Sequence, residues 1–374
     1  MTAPGLSARQ LVEGMAVGFD PTAGAPPRLV VELAFTGAER GTYQLMVNGA
    51  TCRFVRGSVE APTLRIETEA EVWREIAERR LDPVAAVLDG RLKVDGDLGL
   101  FQQFPRWFRR VTARDLRAPP DQRAPGPVRL PAMAWLFLAL VPWKIFWVLT
   151  ALRGALPALL TGAIGAVALL AVREAMGGAT FLERATALVF VAAAIAAVLG
   201  GGVPPGIVGA SLLALAAIWT VSVVHAELPL TAEYSRWNYV PRLWGTTLFR
   251  HPNALLTLVW GGIFSALAVI GVVGARGWLS HGASASLSVA LCVAGGVFTR
   301  RHEAGARDRR ILDPDRSFVR LRAVARILLV VIAAEFLLMG DPRSPSGWLI
   351  LPAAGLLAAA LWRAGPVLDE PLMG

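Results

Sequence analysis

LDGRLKVDGDLGLFQQFPRWF, residues 88–108, joins two different patterns. Its first half alternates apolar and polar residues between Asp-Gly pairs, which predicts a last short strand or turn. Its second half sets Leu98, Phe101, Phe104, Trp107 and Phe108 at helical spacing, so a final helix, interrupted at Pro105, gathers them on one face. Such a face needs apolar matter to cover it. Beyond a short linker the chain itself turns almost wholly apolar.

Composition sets the frame. Among 374 residues, 55% are hydrophobic and 17% charged, too apolar a balance for one soluble globule and long enough for at least two domains. The formal charge of +9 could suit a nucleic-acid binder. However, lysine occurs only at Lys93 and Lys144, and the arginines gather beside apolar runs, which fits membrane topology better than a phosphate-tracking groove. Cys52 and Cys292 lie far apart, so neither a disulfide framework nor a CxxC site is expected. The opening MTAPGLSARQLVEGMAVGFD lacks a basic region followed by an unbroken apolar one, so it does not read as a secretory signal, and a cytoplasmic N-terminus is expected.

Residues 1–111 read as an α+β unit. RLVVELAF (28–35), GTYQLMVN (41–48), TCRFVRG (51–57) and TLRIET (63–68) are short runs divided by turn residues, the pattern of successive antiparallel strands. EAEVWREIAERR (69–80) switches to helical period, with Val72, Trp73 and Ile76 on one face. DPVAAVLDG (82–90) has an Asp cap, a Pro just inside and a Gly stop. Asp89, Asp95 and Asp97 lack the spacing of a calcium loop, and Gly90, Gly96 and Gly99 that of a dinucleotide loop, so all six read as turn residues.

The run from Tyr43 to Gly57, the Pro62–Ile66 segment, the Trp73 helix and AVLDGRLKVDGDLGLFQQF (86–104) resemble the sterol carrier protein 2 family over roughly residues 5–110. The resemblance implies a sheet and helices around an apolar cavity for a sterol, hopanoid, fatty acyl chain or similar lipid, with no covalent catalysis. It makes Trp73, Ile76, Val87 and Leu88 expected lipid contacts, together with the aromatic face of the last helix and Leu98. The same aromatic face is equally well read as plain core packing onto the sheet.

Residues 112–129, rich in Pro, Arg and Ala, read as a linker, and 130–374 as a polytopic membrane domain. Apolar runs at 131–150, 154–172, 185–200, 206–225, 253–274, 283–299, 327–340 and 347–362 propose eight spans, with seven or six as alternatives. With the N-terminus inside, the inner connections hold most arginines, Arg300 to Arg326 above all, whereas the outer ones hold Arg153, Arg276 and Arg343. That asymmetry favours an even count, a cytoplasmic C-terminus and a place in the bacterial inner membrane.

The inner loop AELPLTAEYSRWNYVPRLWGTTLFRH (226–251) carries an interfacial set of Tyr and Trp, and Glu233, Arg236 and Arg242 as an expected headgroup site. LTAEYSRW through LFRHPNALLTLVWG resembles a segment of the septation protein A type of bacterial membrane protein, which implies no defined chemistry. Two charges fall inside apolar runs. Lys144 and Glu335 lie at matching depth in the first and seventh spans, and each is costly there, so the two are expected either to pair directly or through one water, or to snorkel and hydrate separately.

His225, His251, His281 and His302 fall near span ends without ligand spacing, and no GxSxG, HExxH or Walker motif occurs, so no metal, cofactor or catalytic residue is expected. The reading favours a membrane-anchored lipid-binding protein, without nucleic acid as partner, that exchanges an apolar lipid with its membrane domain. A transporter regulated by the soluble domain, and a lipid-modifying enzyme using it as substrate holder, stay open.

Overall fold

The computed structural model describes residues 7–108 apart from 79, residues 132–305 apart from 201, 204, 205 and 227, and residues 314–339. These divide into two compact units, one holding the described residues up to 108 and the other the helices from Ala132 onward, short peripheral pieces aside. The linker at 112–129 and the apolar run at 347–362 lie outside the described residues.

The first unit is α+β. Helix α1 (Ala8–Val17) starts with a capping box in which the Ser7 hydroxyl accepts from the Gln10 N–H and the Gln10 side chain accepts from the Ser7 N–H. Strands β1 (Arg28–Thr36), β2 (Gly41–Asn48) and β3 (Thr51–Arg56) form a meander, followed by β4 (Leu64–Glu69), α2 (Ala70–Ala77), α3 (Pro83–Leu88), β5 (Leu92–Gly96) and α4 (Leu98–Trp107). The Asp82 carboxylate caps α3 by accepting from the N–H groups of Val84 and Ala85, and Asp97 caps α4 through Gly99. Pro105 lies inside α4 without ending it, since the helix has only two residues left after it.

The strand order is β3-β2-β1-β4-β5. Neighbours are antiparallel except β1 and β4, which run parallel with Leu33 opposite Ile66, so the all-antiparallel expectation is corrected to a mixed sheet. The cause is the crossover at 57–63. It leaves the β3 edge at Gly57, whose φ of +79° suits glycine, and returns on the far side of β1. Gln44 of β2 fixes it from below: its Oε1 accepts from the N–H groups of Val59 (3.0 Å) and Glu60 (3.1 Å), and its Nε2 donates to the Glu60 carbonyl (2.7 Å) and Glu32 (2.9 Å). Thr63 completes the passage against Val30 of β1. The opposite sheet face carries Leu29, Val31, Leu33 and Phe35 of β1 with Leu45, Leu64 and Ile66 from its neighbours, and there the helices close the apolar core.

The second unit is all-helical: α5 (Ala132–Ala139), α6 (Val141–Arg153), α7 (Ala155–Ala175), α8 (Phe181–Leu199), α9 (Ile207–His225), α10 (Leu230–Ser235), α11 (Thr247–Ala275), α12 (His281–Gly305) and α13 (Pro314–Met339). The expected first span is broken into α5 and α6 at Leu140, next to Pro142, which has no N–H to offer and crowds the preceding turn. Five helices, α7, α8, α9, α11 from Phe249 and α12 to His302, are long and apolar enough to cross a membrane. These five are counted among the described residues, which exclude the expected span at 347–362. α13 is interrupted by Arg320, Arg322, Arg326 and Glu335 and is not among the five.

Candidate functional site

The aromatic end of the first unit is built by α4. Its repeat sends Phe101, Phe104 and Trp107 into the core, each less than a tenth exposed, and Phe108 follows them at the helix end. Phe104 and Phe108 rings lie 4.5 Å apart, Phe101 and Phe104 6.4 Å, and Phe19 approaches Phe108 at 5.7 Å. The helix end is tied down by the Asp20 N–H, which donates to the Trp107 carbonyl at 2.8 Å. From α2, Trp73 is buried edge-on against Phe35 at 6.2 Å, and Ile76 packs half-buried beside it; Val87 of α3 is likewise half-buried against the core.

Two expected lipid contacts lie at the surface. Leu88 is 83% exposed and Leu98 54% exposed. Leu88 is the last residue of α3, turned outward just before Asp89 and Gly90, while Leu98 opens α4 ahead of the turn that first touches the core. Inside the core, the indole N–H groups of Trp73 and Trp107 are buried with no acceptor among the described residues. Burial pushes the Cys52 thiol up to about 12, which favours the thiol over the thiolate.

In the second unit the three residues expected to form a headgroup site go different ways. Glu233 of α10 turns to the start of α8, where its carboxylate accepts from the Phe181 N–H at 2.9 Å. Arg236 lies against the rings of Trp237 (4.6 Å) and Trp244 (5.4 Å). Arg242 sits in the turn Pro241–Leu243. A denser polar group, absent from the sequence reading, surrounds Glu233. Arg173, at the end of α7 and 2% exposed, donates from Nε to Glu183 at 2.9 Å and from Nη2 to the Gly178 carbonyl at 2.5 Å, and its guanidinium lies 4.1 Å over the Trp135 ring. Glu183 also accepts from the Thr180 N–H, and the Thr180 hydroxyl meets the Tyr234 hydroxyl at 2.8 Å. Its signal in the sequence is the pair T-x-x-E at Thr180 and Glu183, a capping box that marks where α8 begins. Burial pushes the Glu233 carboxyl up to about 7, despite the Phe181 hydrogen bond and the Arg236 charge, while Tyr234 is pushed upward by burial as well.

Lys144 and Glu335 are not brought together. The Lys144 ammonium lies 4.8 Å over the Phe137 ring, whereas Glu335 accepts from the Ser265 hydroxyl of α11 at 2.7 Å. Lys144 is exposed because its neighbours Trp143 and Trp147 take the inward positions on α6, donating to Thr186 of α8 (3.0 Å) and Ser211 of α9 (2.8 Å).

Residues 29–109 match the SCP-2 sterol transfer family. The segment is thus a sterol-carrier type of domain, a class that suggests lipid binding or transfer. No curated protein matches the chain. Among solved structures, it is similar to a protein of Thermus thermophilus described as possibly a sterol carrier protein, at 16% identity, covering 29% of this chain and 90% of that one with a TM-score of 0.22. A ubiquinone synthesis protein, UbiJ-SCP2, matches at 18% identity over 26% of this chain and 67% of that one, TM-score 0.18. A Pseudomonas sec-alkylsulfatase, Pisa1, matches at 19% identity over 25% of this chain, TM-score 0.23, and the chain spans only 15% of that enzyme's length.

Proposed function

We propose that the chain is a membrane-anchored lipid carrier: the sterol-carrier type domain captures an apolar lipid on the cytoplasmic side and exchanges it with the membrane through the helical unit. The family match over residues 29–109 carries this reading. The aromatic face of α4 supports it, since Phe101, Phe104, Trp107 and Phe108 close the sheet's apolar side where a bound chain needs cover. Trp73, Ile76 and Val87 extend the same apolar side. The acceptor-free indoles of Trp73 and Trp107 favour a lipid with one polar end. A buried N–H without a partner costs about 1–3 kcal/mol, and a hydroxyl or carbonyl oxygen of the lipid relieves that cost.

The test is native mass spectrometry of the full-length protein purified in detergent and released in the gas phase. Wild-type protein is expected to retain lipid, and Phe104→Asp to lose it while both units stay folded by circular dichroism. Retention of the same lipid by Phe104→Asp, or wild-type protein that takes up no sterol, hopanoid or fatty acid analogue, defeats the proposal.

A further inference from the structure

The polar group around α10 is a fastening between two pieces of chain, and it has no part in the lipid reading above. α10 belongs to the segment 228–244, packs on α5, α8 and α9, and is also hydrogen-bonded to Ser222 of α9 through Leu230 and to Asn253 and Thr257 of α11 through Thr231 and Ser235. Its holds on α8 are two: the Glu233 carboxyl on the Phe181 N–H and the Tyr234 hydroxyl on Thr180. The first N–H groups of a helix attract negative charge, yet this helix start already has Glu183, which is committed to Arg173 and to Thr180. Glu233 therefore arrives as a second carboxyl, and among the described residues no cation lies within ion-pair distance of it. Arg236 on its own turn and Arg184 from α8 act on it from further away, and Glu183 opposes its charge. Arg184 itself is drawn off by Glu174 at 2.8 Å. α5 brings no titratable residue, α9 only His225, and α11 Arg250 and His251, neither of which is among the charges acting on Glu233.

We propose that Glu233 is a proton-operated latch: with its carboxyl protonated it fastens the 228–244 segment to the start of α8, and ionisation releases it. A neutral carboxyl can stay buried and still accept from Phe181 through its carbonyl oxygen, with its own O–H available as a donor. Glu233 is only partly exposed, and a carboxylate so placed with no cation of its own loses more hydration than one N–H restores. Water reached by opening the segment is then its better surroundings. The sign follows from the same imbalance. In the fastened state the group titrates at about 7 against 4.5 for the free carboxyl, so the fastened state binds the proton more tightly and weakens as pH rises through neutrality. Between pH 6 and pH 8 those two values lower the ratio of fastened to open segment about tenfold.

Hydrogen–deuterium exchange of the full-length protein in lipid nanodiscs reads this directly, with labelling times scaled for the intrinsic pH dependence of exchange. Peptides covering 228–244 and the start of α8 should lose about tenfold of their protection from pH 6 to pH 8. Glu233→Gln, which keeps the acceptor and cannot ionise, should hold its pH 6 protection at pH 8. Glu233→Ala, which has no acceptor, should be poorly protected at both. The proposal is overturned by wild-type protection that does not change with pH, by a Gln variant that loses protection as the wild type does or is open at both pH values, or by an Ala variant as protected as wild type.

Discussion

Gln44 commits both ends of its amide to the crossover, and beneath it the Glu32 carboxylate also accepts from the Ser58 hydroxyl at 2.5 Å. Replacing Gln44 by Leu takes one donor from the buried Glu32 carboxylate, which keeps Ser58 and Arg65, and removes the acceptor of the Val59 and Glu60 N–H groups. Gln44→Leu should therefore destabilise the first unit by about 2–4 kcal/mol, read from guanidinium unfolding of the full chain followed by loss of protection in β1 and β2. Glu32→Gln, which keeps an acceptor there, should cost clearly less. Gly96 makes a separate point. It has φ of +113°, and a methyl added there would meet the Thr63 carbonyl oxygen at 2.6 Å, at the start of the β4 and β5 pairing. Gly96→Ala should lower stability by about 2–3 kcal/mol in the same assay, and an unchanged midpoint would show that β5 relaxes away.

At the scale of elements, β1 to β5 and α2 to α4 were legible because each carries its own period and its own stop. α4 shows it best: the Phe101, Phe104 and Trp107 spacing found the buried face, whereas Asp97, read only as a turn residue, caps its start. What could not be read was pairing. The parallel match of β1 with β4 depends on a seven-residue detour held by Gln44, and nothing in either strand's own pattern distinguishes a parallel from an antiparallel neighbour. α1 was missed although Ser7 and Gln10 form a capping box, because its buried face mixes Arg9, Gln10 and Glu13 with Ala8 and Val12. In the helical unit, Trp143 and Trp147 flank Lys144 in the sequence and act as interhelical donors. Trp143→Phe and Thr186→Val should each lower the unit's thermal stability in detergent, and a double-mutant cycle should give a coupling of about 0.5–1.5 kcal/mol. Additive losses would mean the hydrogen bond is incidental to the packing of Trp143 on Phe190, whose rings lie 4.8 Å apart.

For the whole molecule, the apolar helices and the arginines flanking them set an expected orientation. The arginine asymmetry predicts the 226–246 connection inside and the 276–280 connection outside, with α11 as the span between them. In a variant with Cys52 and Cys292 replaced, an impermeant maleimide added to intact cells should label Ser280→Cys and leave Ser235→Cys unlabelled until the cells are opened; the reverse pattern would invert the topology. The mixed sheet also sets an order in time. The meander of β1, β2 and β3 can close as soon as residue 56 has left the ribosome, but β1, whose LVVELAF run would then border solvent, waits for β4. During that interval the nascent chain exposes a sticky strand edge, which is sealed before the first apolar helix at Ala132 is synthesised. A translational pause after β3 and before β4 would therefore be the most hazardous moment in making this protein, and slowing codons placed there should raise aggregation more than the same codons placed after Gly96.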